Sequence, residues 1–310
     1  MEKSLVLFVL LPLISIFSIL NMAGPDNKKK KSDRQTPSQN RDGDVPKCTD
    51  CHASFPEKQI MHAPVKEGCI TCHLTDVNEH PGDTSQGLQL SNKVPELCFS
   101  CHAELKQDID TARLVHRATV TKRRCLNCHA PHSSDEKKLL VRNKKELCLT
   151  CHNKDLAPNG TKILNIQQLL KNSSVIHPAL AGGCTSCHKP HSSTENFLLI
   201  SAYPSGQYAP GKKDNYAICW ECHDSDLLEL ETTSTSTSFR SGERNLHYVH
   251  LHGEKGRSCS ICHDVHATKR KHLIIEKTPF GSWDLPLNYL PADSGGSCSP
   301  GCHRMYTYKR

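Results

Sequence analysis

The arrangement of the cysteines constrains this chain more than any other feature of its sequence. All 18 cysteines of the 310-residue chain fall into nine pairs, and a histidine directly follows the second cysteine of each pair. Eight pairs have the spacing Cys-x-x-Cys-His, and the ninth contains one additional residue. The nine motifs are Cys48/Cys51/His52, Cys69/Cys72/His73, Cys98/Cys101/His102, Cys125/Cys128/His129, Cys148/Cys151/His152, Cys184/Cys187/His188, Cys219/Cys222/His223, Cys259/Cys262/His263 and Cys298/Cys302/His303.

This spacing is typical of covalent haem attachment. Two thiols one turn apart can add to the two vinyl groups on one edge of a haem, and the next residue then lies below the ring, where a histidine nitrogen reaches the iron. A zinc site or a redox dithiol would give no reason for a histidine after every second cysteine. We therefore expect nine haems c, or eight if the Cys298 site is empty. Its Ser-Pro-Gly insertion could form a tight turn that restores the thiol spacing.

Eleven further histidines are candidates for the second, distal axial position of these irons. Three of them lie seven residues before the first cysteine of a motif, and three lie three residues after a motif histidine, which we call proximal. Outside the N-terminal segment only two methionines could compete, so we expect mostly bis-histidine irons of low potential. The candidates are His62, His80, His116, His132, His177, His191, His247, His250, His252, His266 and His272.

An internal repeat accompanies the motifs. The segments CHAPHSSDEKKLL from Cys128 and CHKPHSSTENFLL from Cys187 match almost position for position, and CHDVHATKRKHLI from Cys262 keeps the same register. The pattern predicts one lone haem followed by four two-haem units that start near residues 62, 116, 177 and 247. The first unit departs from it, because His80 follows His73 by seven residues. Repeats of this kind contact only their neighbours and give an elongated shape.

Over roughly residues 48–303, this arrangement resembles the doubled-CXXCH multihaem c-type cytochromes. That group includes the pentahaem electron donors of periplasmic nitrite reductase and the decahaem periplasmic conduits to outer-membrane complexes. The resemblance implies a row of closely packed porphyrins that relays electrons in a respiratory chain. The implied partners are exported redox proteins, such as a quinol-oxidising complex, a terminal reductase or an outer-membrane conduit.

The N-terminal region predicts export. Residues 5–20 form an apolar run that is short for a membrane-spanning helix, so residues 1–23 are interpreted as a signal peptide or as an uncleaved N-terminal anchor. Residues 24–47 are highly charged and predict a disordered linker. The haem-binding domain then covers residues 48–310. We expect a periplasmic protein, either anchored to the membrane or free, with an extracellular location as the alternative.

The composition predicts an unusual core. Only 36% of the residues are hydrophobic, too few for a conventional interior of this size. We expect mainly irregular coil with short α-helices wrapped around a chain of haems, and an unfolded apoprotein. Helical periodicity indicates short helices at 144–152 and 161–171. Turn-forming residues indicate insertions at 201–216, 232–238 and 279–297.

The net charge of the chain indicates which classes of partner to expect. The formal charge is +7, but eighteen haem propionates would change it to about −11 with ferrous irons and about −2 with ferric irons. The basic residues are therefore mainly counter-charges for the cofactors, and a nucleic-acid partner is excluded.

Three functions fit the motifs. An electron relay needs six ligands at every iron and no catalytic residue. A reductase of nitrite, hydroxylamine or a sulfur oxyanion needs one open iron. A haem filament would make the protein an oligomer, with histidines from the His247–His272 region supplied to a neighbouring chain. The sequence otherwise favours a single distal ligand with exposed neighbours from the cluster His247, His250, His252 and His272.

Overall fold

Short helices and very short strands, separated by irregular chain, make up the fold. The computed structural model describes residues 48–52, 58–75, 88–160, 162–253 and 255–310. The predicted signal peptide or anchor, the predicted linker and His80 lie outside the described residues. The expected combination of irregular coil and short helices is confirmed, and small sheets accompany it.

The α-helices of the described residues are α1 (Cys48–Cys51), α2 (Ala63–Glu67), α3 (Glu96–Phe99), α4 (Ala103–Thr111), α5 (Arg117–Val120), α6 (Lys144–Leu149), α7 (Ile166–Asn172), α8 (Ala217–Trp220), α9 (Asp226–Glu229) and α10 (Leu246–His252). Turns of 3₁₀-helix cover Cys69–Thr71, Arg124–Asn127, Lys137–Leu139, Pro158–Gly160, Pro178–Gly182, Cys184–Ser186, Asn196–Leu198, Lys213–Tyr216, Cys259–Ile261 and Lys271–Leu273. The strands are β1 (Ile60–Met61), β2 (His73–Thr75), β3 (Leu88–Leu90), β4 (Leu114–Val115), β5 (Ser133–Ser134), β6 (Val175–Ile176), β7 (Ser192–Ser193), β8 (Arg240–Ser241), β9 (Arg244–Asn245), β10 (Ala267–Thr268), β11 (Lys277–Phe280), β12 (Trp283–Pro286), β13 (Leu290–Ala292), β14 (Gly295–Cys298) and β15 (Tyr306–Lys309).

The two helices predicted from periodicity exist but are shorter than expected. Helices α6 and α7 each begin after an asparagine, Asn143 and Asn165, whose side-chain oxygen accepts a backbone N–H three residues further on. These caps fix the first turn of each helix. Helix α6 runs directly into an attachment motif and ends inside it, at Leu149.

One antiparallel ladder of two residues occurs three times. Strand β1 pairs with β5, β4 with β7, and β6 with β10. In each case the first strand immediately precedes a predicted distal histidine, and the second strand follows another one. The ladders therefore bring pairs of distal histidines together across more than 50 residues of sequence.

Residues 279–297, predicted as a turn-rich insertion, instead form small sheets. Strands β11 and β12 make a hairpin, and β13, β14 and β15 make a three-stranded sheet. The glycines that indicated turns serve this packing as well, because a Cβ at Gly295 would lie 2.0 Å from the backbone oxygen of Tyr308. Close strand approach, not only turn formation, accounts for glycine here.

Buried apolar side chains are confined to the C-terminal part of the chain. Among the described residues before Leu199, none of the hydrophobic side chains is buried. The buried cluster consists of Ala209, Tyr216, Leu228 and Leu251. Within the described residues, no helix has the length and apolar character needed to cross a bilayer.

Candidate haem-binding sites

The backbone of the attachment motifs is regular. In seven motifs the N–H of the proximal histidine donates to the carbonyl of the first cysteine four residues earlier, at 2.9–3.1 Å. This bond places both cysteines and the histidine on one helical turn. In the ninth motif the N–H of His303 instead donates to the carbonyl of Pro300, at 3.4 Å. The ninth motif thus accommodates its inserted residue in a tighter turn, with the hydrogen bond three residues apart instead of four.

The attachment cysteines are not enclosed by protein atoms. A haem-filled interior leads us to expect buried sulfurs, yet no cysteine whose side chain the structure describes is buried by the polypeptide alone. These thiols are therefore accessible to the vinyl groups with which they are proposed to react. Any shielding of these sulfurs from solvent must come from the cofactor. The fully exposed ones are Cys48, Cys69, Cys101, Cys151, Cys222 and Cys302, and the half-buried ones are Cys72, Cys98, Cys125, Cys128, Cys148, Cys184, Cys187, Cys219, Cys259, Cys262 and Cys298.

Eight pairs of histidine rings recur along the chain, and their centroids are 6.0–6.4 Å apart. Each pair joins one proximal histidine of motifs two to nine with one predicted distal histidine. The pairs are His102 with His62, His73 with His132, His152 with His116, His129 with His191, His223 with His177, His188 with His266, His263 with His247, and His303 with His250.

The spacing of these rings matches that of two ligands on one metal ion. A metal–histidine bond is about 2 Å long, and a ring built from bonds of about 1.35 Å has a radius of about 1.1 Å. Two imidazoles on opposite sides of one ion therefore have centroids about 6.3 Å apart. The histidine pairs fit bis-imidazole ligation of an iron.

Backbone carbonyls orient many of these rings. A carbonyl oxygen can only accept a hydrogen bond, so the Nδ1 atom that contacts it carries the proton and Nε2 keeps the lone pair that a metal needs. The Nδ1–carbonyl contacts, 2.6–2.9 Å long, are His62 to Pro131, His116 to Pro190, His129 to Lys138, His188 to Phe197, His250 to Leu246, His263 to His272 and His303 to Arg304.

Three of these carbonyls belong to residues whose backbone φ and ψ angles lie in the left-handed helical region. Lys138, Phe197 and His272 have φ of 58–59°, and each lies nine residues after the histidine that it orients. Non-glycine residues rarely adopt this conformation. These three positions were not predicted from the sequence as residues that orient a histidine. The aligned repeat does contain the signal, since all three lie at the same position of the repeat. His272, predicted as a distal candidate, supplies its carbonyl at this position.

The structure also pairs distal histidines with particular motifs. His132, His191 and His266 each pair with a proximal histidine of the preceding predicted unit. The N–H of His62 donates to the carbonyl of His132 at 2.8 Å, and the corresponding bonds recur in the other two ladders. In each of these pairs a predicted distal histidine of one predicted unit therefore lies opposite the proximal histidine of the preceding unit.

The C-terminal unit obtains its distal histidines differently. Both His247 and His250 lie on α10, and they pair with His263 and His303. The structure thus differs from the expectation of a single distal ligand in this cluster, because positions three apart on a helix share one face. His252 is placed otherwise: its Nε2 lies 3.0 Å from the Leu228 carbonyl.

Burial favours the neutral form of nine of the paired rings. It lowers the pKa of His247 to about 3, with the neighbouring histidines contributing. Burial also lowers the pKa of other members of the pairs, and neutral imidazole is the form that binds a metal. These members are His116, His132, His152, His177, His188, His191, His250 and His263.

Cysteine thiols of consecutive motifs lie next to each other. In four thiol pairs one thiol shifts the pKa of the other, and each pair joins the first cysteines of two consecutive motifs: Cys48 acts on Cys69, Cys125 on Cys98, Cys184 on Cys148, and Cys259 on Cys219. At the remaining junctions burial raises the pKa of one thiol and a thiol of the next motif or the one before it raises that pKa further: Cys72 acts on Cys98, Cys151 on Cys128, Cys222 on Cys187, and Cys298 on Cys262. The attachment sites thus follow one another in chain order.

The surroundings of the motifs fit a large apolar cofactor. Ile70 lies between the cysteines of the second motif and is 73% exposed, and Leu74, Leu88 and Leu90 nearby are exposed too. Because the described residues before Leu199 bury no hydrophobic side chain, haems bound at these motifs would supply the apolar surface that these residues lack. Among the residues described, no cluster of three or more metal-binding side chains occurs.

Comparison with known proteins agrees with this geometry. The model of the doubled CXXCH motif family matches residues 62–107, 117–157 and 177–227, which correspond to the first three predicted units. The resemblance found in the sequence is thereby confirmed: over these residues the chain is similar to the multihaem c-type cytochromes with doubled CXXCH motifs. Among curated proteins, the cytochrome c-type protein NrfB of Escherichia coli O6:H1 is 26% identical over 157 residues, which covers 44% of this chain and 80% of NrfB.

Asn245 holds the helix that carries two distal histidines. Its side chain is fully buried, and its Oδ1 accepts the N–H groups of His247 and Tyr248 at 3.0 and 3.3 Å. Its Nδ2 donates to the carbonyls of Leu227 and Leu230 at 3.0 and 2.8 Å. This one amide therefore caps α10 and ties it to α9.

We expect the Asn245→Ala variant to lose about 2–4 kcal/mol of unfolding free energy, since the cap is lost and the Leu227 and Leu230 carbonyls lose the Asn245 donor. Denaturation followed by circular dichroism measures this loss. The matched control is Asn143→Ala, which removes a partly exposed cap of α6, and it should cost about 1 kcal/mol. Equal losses in the two variants would show that the Asn245 network adds nothing beyond capping.

Proposed function

We propose that this protein is an electron carrier that binds nine haems c and passes single electrons along them. The observation that carries the proposal is the set of eight proximal–distal histidine pairs with ring spacings of 6.0–6.4 Å. An iron with two histidine ligands has no position for a substrate, which favours electron transfer over bond chemistry. Each bound haem supplies one-electron iron chemistry, and no residue of the chain is assigned a catalytic role.

The residues of the chain hold and order the haems. The cysteines would fix each attachment edge, the paired histidines would close both axial positions, and the backbone carbonyls that contact the Nδ1 atoms of seven histidines would leave their Nε2 atoms available to the iron. The thiol contacts between consecutive motifs support a single unbranched series from the Cys48 site to the Cys298 site. In this proposal one lone haem precedes four tandem two-haem units, and the polypeptide wraps around them. The absence of methionine among the proposed ligands favours low reduction potentials.

We also propose that the protein works on the exported side of the membrane. Residues 5–20 support export, with residues 1–23 acting as a cleaved signal peptide or as an anchor. The partners would be redox proteins of a respiratory chain: a quinol-oxidising complex, a terminal reductase or an outer-membrane conduit. The periplasm is the proposed location.

The first motif requires a distal ligand of its own. Eight of the eleven candidates take part in ring pairs with motifs two to nine, and His252 and His272 occupy the other roles described above. We assign the remaining candidate, His80, as the distal ligand of the iron at His52. The contact between Cys48 and Cys69 supports this assignment, because it places the first site beside the motif that precedes His80 in the chain.

An EPR spectrum of the oxidised holoprotein, together with carbon monoxide binding to the reduced form, tests the proposed function. We expect only low-spin signals and no carbon monoxide shift, with nine haems by mass. A high-spin signal from about one iron in nine in the wild-type protein would overturn the pure carrier and favour a reductase with an open iron.

The His80→Ala variant tests the ligand at the first iron. We expect it to convert about one iron in nine to a high-spin form that binds carbon monoxide, because that iron loses its sixth ligand. His252→Ala and His272→Ala are the matched controls and should give the spectrum of the wild type. If a control gained the high-spin signal while His80→Ala did not, the assignment of His80 would be wrong.

A further inference from the structure

Arg257 lies at the junction between the last two attachment motifs. It stands two residues before Cys259, and its Nη2 is 3.9 Å from the sulfur of Cys302. The guanidinium carbon lies 4.2 Å from the centre of the Tyr208 ring, which holds the group flat against an aromatic face. The backbone N–H of Arg257 donates to the carbonyl of His250, a proposed ligand of the ninth iron, at 2.9 Å.

The guanidinium is only partly satisfied by protein groups. Its Nη1 is buried and has no hydrogen-bond partner, and none of the ion pairs between described residues includes Arg257. A buried cation without a counter-charge is costly, so an electron-rich group is expected to face it. The other buried side-chain atom of this kind in the described part of the chain is the Tyr216 hydroxyl, beside Cys219 and Cys259. Both unsatisfied donors therefore border the eighth motif.

The positive charge of Arg257 lies beside groups of both motifs. Its side chain reaches the Cys302 sulfur of the ninth motif, and its backbone stands two residues before Cys259 of the eighth motif. An arginine remains charged at every relevant pH, so its field at this junction is permanent.

We propose that Arg257 raises the reduction potential of the haems at the Cys259 and Cys298 motifs and thereby makes the C-terminal end of the series its electron-accepting end. Reduction of one of these haems adds one electron to its ferric iron, and that electron leaves a neighbouring ferrous haem, which becomes ferric. A fixed cation stabilises the reduced state of the nearer haem, and salt screens it weakly because it is partly buried. The inference rests on the proposed haem loading of these two motifs.

Spectroelectrochemical titration of the holoprotein tests this assignment. Arg257→Gln and Arg257→Leu remove the charge, and the leucine variant keeps an apolar contact with the Tyr208 ring. Arg257→Lys keeps the charge. The matched control is Lys154→Gln, which removes one exposed positive charge two residues after His152 of another motif. Haem content is measured by mass for every variant, so failed loading is recognised separately from a change in potential.

We expect one or two of the nine haems to titrate at a lower potential in the neutral variants than in the wild type. In the lysine variant and in Lys154→Gln these haems should titrate at the potential of the wild type. A neutral variant with full haem content whose titration coincides with that of the wild type would overturn the proposal. The proposal would also be overturned if the reduction potential of these haems fell as far in the lysine variant as in the neutral variants, since charge would then not be the cause.

Discussion

Removal of one haem from the middle of the series is expected to unfold far more of the chain than its own motif. In the Cys125→Ser/Cys128→Ser variant the fourth motif cannot attach haem, and His129 and His191 lose the iron proposed to join them. The surrounding chain has no buried hydrophobic side chains to compensate, because none occurs among the described residues before Leu199. We expect the two units that share this iron to open together.

Hydrogen–deuterium exchange measures this effect segment by segment. We expect protection to fall by at least about 100-fold, which corresponds to about 2.8 kcal/mol, in residues 116–157 and 177–200. Residues 201–310 should keep their protection, because they contain the buried cluster around Tyr216 and Leu228.

The matched control removes a haem that lies against this cluster. In the Cys219→Ser/Cys222→Ser variant the seventh motif loses its haem, but Cys219 packs against buried side chains that remain. We expect α9 and α10 to stay protected in this variant. Similar unfolding in both variants would contradict the view that haems replace a side-chain core only in the earlier part of the chain.

The proximal sites could be predicted from the sequence because one local turn contains all their parts. The two cysteines and the histidine lie within five residues in eight motifs and within six in the ninth, and in seven motifs the helical hydrogen bond from the histidine N–H fixes their relation. Most of the histidines whose rings lie opposite a proximal histidine could also be predicted, since their placement repeats with the predicted units. These features depend on local geometry and on sequence periodicity.

The pairing of distal histidines with motifs could not be predicted in the same way. It depends on ladders between strands that are more than 50 residues apart, such as β4 with β7. The repeat does contain one sequence feature that accompanies this packing, a pair of adjacent serines in the strands of the ladders. Ser133, Ser134, Ser192 and Ser193 are buried because their strands lie inside these ladders. A sequence pattern of two serines does not indicate burial by itself, since serine is usually exposed.

The exchange of distal histidines between units leads to a sharp expectation for His132. This residue is three positions after His129, yet its ring lies 6.0 Å from the ring of His73. We expect His132→Ala to give one high-spin iron in nine by EPR, and that iron should be the one held at Cys69 and Cys72. Sequence proximity alone would instead point to the iron at His129 or to none.

Two backgrounds distinguish the irons. When His132→Ala is combined with Cys69→Ser/Cys72→Ser, the affected haem is absent, so His132→Ala should add no high-spin iron to those of this background alone. When it is combined with Cys125→Ser/Cys128→Ser, the haem at the second motif is still attached and its high-spin signal should be present. The opposite result would mean that His132 serves the iron of its own unit. Neighbouring units would then be linked by backbone ladders alone, and the loss of one haem would no longer be expected to open two units together.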